Sequence, residues 1–81
     1  MSSYNEHLNA DRLCEVADAA LRASIEVGEY TGKGRPYPAD LMGSPLQPEY
    51  LAPFTLWEVQ QASELLLRLG EVDQPKTETH P

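Results

Sequence analysis

The stretch from Glu29 to Pro53 constrains the fold most, because it carries prolines at 36, 38, 45, 48 and 53 and glycines at 32, 34 and 43. Proline removes a backbone donor and fixes φ, so neither a long helix nor a central strand can run through this stretch. It splits the chain into two flanking segments, and both have helical periodicity.

The first segment runs from about Asn9 to Val27. Advancing 100° per residue gathers Leu13, Cys14, Val16, Ala17, Ala20, Leu21, Ile25 and Val27 on one half of a helix, with Asp11, Glu15, Asp18, Arg22 and Glu26 on the other. Asn9 is a good N-cap, and Ser3 with Glu6 offers an alternative capping box one and a half turns earlier. Gly28 reads as the stop. Cys14, on the apolar half, reads as a buried structural thiol.

The second segment, about 56–69, has two start signals in register. Thr55 and Glu58 form a capping box, and Phe54 and Val59 are placed to form a hydrophobic staple. Gly70 ends the helix, with Arg68 suiting the negative end of its dipole. Its apolar side chains Leu56, Val59, Ala62, Leu65, Leu66, Leu67 and Leu69 spread over an arc about 200° wide, more than one neighbouring helix needs to cover. Trp57 lies outside that arc among Gln60, Glu64 and Arg68.

Between the helices, Tyr30, Tyr37, Leu41, Met42, Leu46, Tyr50 and Leu51 make the proline-rich segment too apolar for a solvated linker, so it is expected to pack on the helices. Pro38 opens one short turn through Met42, and Pro48 another through Leu51. After Val72 periodicity ends, and residues 73–81 are expected to be disordered, leaving 1–72 as a single small domain.

A chain of 81 residues struggles to bury enough apolar surface to stand alone. Cys14 is the sole cysteine, so no internal disulfide helps, and the two histidines, His7 and His80, sit near opposite ends, which leaves no metal site legible. Association remains, so the expected working form is a homodimer packed as a helical bundle, or a complex with a larger protein. Six Lys plus Arg against 13 Asp plus Glu give a formal net charge of −7, which argues against nucleic acid and anionic lipid as partners. No apolar run is long enough to span a bilayer, and the N-terminus lacks the pattern of a secretory signal, so the chain reads as cytoplasmic.

No nucleophile, base and oxyanion donor assemble in the sequence, and nothing calls for a cofactor or small-molecule substrate. Lys33-Gly34-Arg35-Pro36 resembles, over those four residues, the core of the AT-hook, which lies in the minor groove of A·T-rich DNA; that resemblance implies a nucleic-acid accessory role. The flanking Glu29 and Asp40 and the acidic balance oppose it, and a solvated glycine turn or a contact patch for a protein is the competing reading. The sequence therefore points to an all-α protein of two main helices acting as an adaptor or inhibitor, with a nucleic-acid accessory or purely structural protein as alternatives. The expected contact residues are Leu56, Trp57 and Leu65 on the outer part of the second helix, with Arg35 and Tyr37 as polar edge contacts from the connector.

Overall fold

A computed structural model describes residues 9–76. The possible cap at Ser3 and Glu6, both histidines and residues 77–81 of the expected tail lie outside these residues. Two α-helices, α1 (Ala10–Thr31) and α2 (Leu56–Arg68), flank two short 3₁₀ turns, Pro38–Leu41 and Glu49–Leu51. No strand occurs among the described residues.

Asn9 caps α1, its side chain accepting the Arg12 N–H at 2.8 Å. The helix does not stop at Gly28. It runs one turn further to Thr31 and ends at Gly32, whose φ of 73° is the left-handed conformation that glycine adopts without strain. Gly28 serves a different purpose. It is buried in the helix, and the connector backbone crosses it so closely that a β-carbon there would overlap the Gly34 carbonyl oxygen. A glycine near a helix end satisfies either role, and here the tertiary approach takes it.

α2 begins as the capping box implies. Thr55 Oγ1 accepts the Glu58 N–H at 3.1 Å and Glu58 Oε1 accepts the Thr55 N–H at 2.9 Å. Phe54 and Val59, the two ends of the expected staple, are both buried in the core.

The buried faces of the two helices carry mostly small or branched side chains, among them Val16, Ala20, Ala23 and Ser24 on α1 and Val59, Ala62 and Ser63 on α2. Larger groups that close the core come from the connector as Tyr37, Leu41, Leu51 and Phe54. The two buried serines tie that connector down. Ser24 donates to the Pro36 carbonyl at 2.7 Å, while Ser63 accepts the Ala39 N–H at 3.0 Å and donates to the Val59 carbonyl at 2.6 Å. The connector is thus ordered, as its apolar content implied, and it covers the inner part of α2.

Two expectations are corrected. Cys14 is exposed rather than buried, because the buried stripe of α1 is narrower than the apolar half of the wheel and residue 14 lies outside it. Residues 73–76 are not loose. Val72 is buried in the core, the Asp73 N–H donates to the Arg35 carbonyl at 2.9 Å, and the Lys76 N–H donates to Asp40 Oδ2 at 2.9 Å. One apolar anchor and paired backbone groups compensate here for the lack of periodicity.

Candidate protein-docking site

The connector covers one side of α2 and leaves the other to solvent. The exposed side begins at Leu56 and Trp57, which are 50% and 45% exposed, and continues through Gln60, Glu64 and Arg68. Leu65 is half-buried at the margin of this side. Leu69 is also exposed, at the far end of the helix.

The turn that carries Leu56 and Trp57 is held by more than its capping box. Arg12 of α1 grips Glu58 with two hydrogen bonds, Nε to Oε2 at 2.8 Å and Nη2 to Oε1 at 3.1 Å. Its guanidinium also lies over the Phe54 ring, 4.7 Å from the centroid. The hydrogen bonds from Arg12, and then that from the Thr55 backbone, hold the Glu58 carboxyl below the usual range. One carboxylate therefore caps α2 and fastens it to α1, so Leu56 and Trp57 project from a turn that the fold itself holds.

Beside this turn runs a shallow groove of about 440 Å³ between α2 and the connector. Leu56 and Met42 lie along it with Pro75, while Asp40 and Glu64 supply its charge. Tyr37 forms part of the wall. The sequence suggests Tyr37 as a polar edge contact, and the fold leaves only 9% of it exposed. Burial first, and then Glu64 and Asp40, push its phenol above the ordinary tyrosine value.

Arg35 lies elsewhere. Its side chain pairs with Glu71 Oε1 at 3.0 Å, and its backbone N–H donates to Asp73 Oδ2 at 3.2 Å. The structure thus brings Tyr37 and Leu56 to one groove with Trp57 beside Leu56, leaves Leu65 at the margin, and commits Arg35 to holding residues 71–73. Asp40 and Glu64 were not singled out from the sequence; they are 24 positions apart and only the fold sets them on one groove.

A second recess of about 320 Å³ lies under residues 73–76, floored by Val27, Pro36, Tyr37 and Leu41 and rimmed by charges of both signs, Lys33 and Lys76 with Asp40 and Asp73. Among the described residues no group of three or more His, Cys, Asp or Glu side chains is placed to hold a metal ion, and no helix is long and apolar enough to cross a membrane. No protein-family model, curated protein or solved structure matches the chain.

Proposed function

We propose that the protein is a non-enzymatic interaction module of the cytoplasm that docks on a basic surface of a larger protein through the outer side of α2, as an adaptor or an inhibitor. The observation that carries this reading is the pair Leu56 and Trp57, consecutive and about half exposed on a turn fixed by Thr55, Glu58 and Arg12. Tryptophan presented from a rigid element is a typical interface anchor, since it contributes a large contact area with little further ordering. The net charge of −7 supports a basic partner and a fast, steered encounter with it. A single exposed thiol, Cys14, suits a reducing compartment.

A heterologous partner fits better than a second copy. α2 has 13 residues and is about 20 Å long. A larger partner can extend the contact beyond this helix onto the adjoining connector groove, whereas a two-fold contact between copies pairs the same short face with itself. Two copies would also face each other with Glu64 and Asp40 on both sides, so like charges would oppose the contact.

Retention from an extract of the source cells tests the reading. The immobilised wild-type chain and a Tyr30→Ser control, altered at an exposed aromatic on the far end of α1, are expected to retain the same protein. A Leu56→Ser, Trp57→Ser variant is expected to lose it. Equal retention by all three would remove the α2 face from the account. Sedimentation of the isolated chain across micromolar concentrations separately reports any second-copy contact.

A further inference from the structure

Tyr37 is more than nine-tenths buried, yet no side-chain hydrogen bond to its hydroxyl is found among the described residues. A tyrosine whose ring is largely buried ordinarily pairs its hydroxyl with a hydrogen-bond partner. Tyr37 also stands in the wall of the groove that holds Asp40 and Glu64, and no lysine or arginine lines that groove. Among the described residues neither carboxylate is in an ion pair: Asp40 accepts a backbone N–H from Lys76, and Glu64 has no salt-bridge partner.

We infer that this groove is a receptor for an arginine side chain presented by the protein partner, with the Tyr37 hydroxyl oxygen and the carboxylates of Asp40 and Glu64 as its acceptors. The inference rests on the docking reading above and names the group that the partner inserts. A guanidinium has donors in a planar fork that can reach several acceptors at once, whereas an ammonium is a compact point charge, so the site favours arginine over lysine. Met42, Leu56 and Pro75 offer an apolar track for the aliphatic stem, and Leu56 and Trp57 stand next to the groove to receive apolar neighbours of that arginine. That adjacency is why the occupant is a side chain of a protein and not a free guanidino compound. The phenol finds in the bound arginine the partner it lacks in the free chain.

The test is an NMR titration of the full chain with a capped pentapeptide of one arginine flanked by leucines, and with the same peptide carrying citrulline, a neutral near-isostere. The arginine peptide is expected to shift the amides of Asp40, Met42, Gln60 and Glu64, and the citrulline peptide to bind about tenfold more weakly. Glu64→Gln is expected to weaken arginine-peptide binding by a similar factor, and Glu15→Gln, on the outer face of α1, to leave it unchanged. Tyr37→Phe keeps the buried ring and is expected to bind several-fold more weakly while its remaining amide spectrum stays native.

Equal binding of the two peptides, or equal weakening by Glu64→Gln and Glu15→Gln, would overturn the inference by reducing it to general attraction to an acidic chain. Binding of N-acetyl-arginine amide as tight as that of the peptide would overturn the assignment to a protein side chain. If the groove variants have no effect while Leu56→Ser, Trp57→Ser still abolishes retention from extract, the arginine site falls and the docking face stands.

Discussion

Gly28 of α1 lies directly against the carbonyl of Gly34: a β-carbon on residue 28 would overlap that oxygen and come within 2.9 Å of the carbonyl carbon. The obstacle is backbone and cannot rotate away. The same crossing delivers Pro36 to Ser24 and Ala39 to Ser63, so the position of the connector depends on it.

Gly28→Ala is therefore expected to destabilise the protein by about 3 kcal/mol or more. In an ordinary helix interior the same change is stabilising, by about 1 kcal/mol. The urea midpoint decides the sign. A variant as stable as the wild type would show that the connector does not cross here.

The start of α2 was readable from Phe54 to Val59 because capping involves residues three apart and depends on little else. The Asn9 cap of α1 is local in the same way. Gly28 was misread because a cap glycine and a close-approach glycine look alike until the crossing segment is known. The burial of Ser24, Ser63 and Tyr37 was not legible for a related reason. Their partners lie 12 and 24 residues away for the serines, and the groove that Tyr37 lines from the connector is completed by Glu64 of α2. Cys14 falls on the apolar half of a helical wheel, but the stripe of α1 that the fold buries is narrower than that half. What the wheel did show was the excess of apolar surface on α2, of which the connector covers only part.

Ser63→Ala leaves the Ala39 N–H without its acceptor in the packed region between α2 and the connector. A loss of about 1–3 kcal/mol is expected, the usual effect of an unsatisfied buried donor. Denaturant unfolding measures it, and amide exchange at Ala39 is expected to accelerate in parallel.

Tyr37→Phe is expected to behave in the opposite way. It removes a buried hydroxyl with no side-chain hydrogen bond and keeps the ring, so the free protein is expected to be as stable as the wild type or more so, by up to about 1 kcal/mol. A loss of stability would reveal a hydrogen bond that the fold requires.

Acid and alkali probe two other contacts. Glu58 is held low by hydrogen bonds from Arg12 and then Thr55, and Glu26 by those from the Tyr50 hydroxyl and then Arg22. A folded value below the unfolded one means that this stability is fully present above the ordinary glutamate value of about 4.3, and is lost as pH falls through the lowered folded values. Glu58→Gln is expected to flatten the acid limb of the urea midpoint against pH. Burial, and then its hydrogen bond to Glu26, push Tyr50 up to about 12. Its contribution is complete below the ordinary tyrosine value of about 10 and is lost as pH rises through the folded value. Ultraviolet titration is expected to show a late tyrosine step near that value, and Tyr50→Phe to remove it.

Trp57 is the sole tryptophan in the chain, so its fluorescence reports on the α2 face alone. The most direct measurement is acrylamide quenching of Trp57 in the isolated chain and again with the arginine peptide at saturation. A half-exposed ring is expected to be readily quenched in the free chain, and to become shielded with a blue-shifted emission when the peptide is bound. A ring already shielded in the dilute free chain, or equally accessible with and without the peptide, would contradict the account.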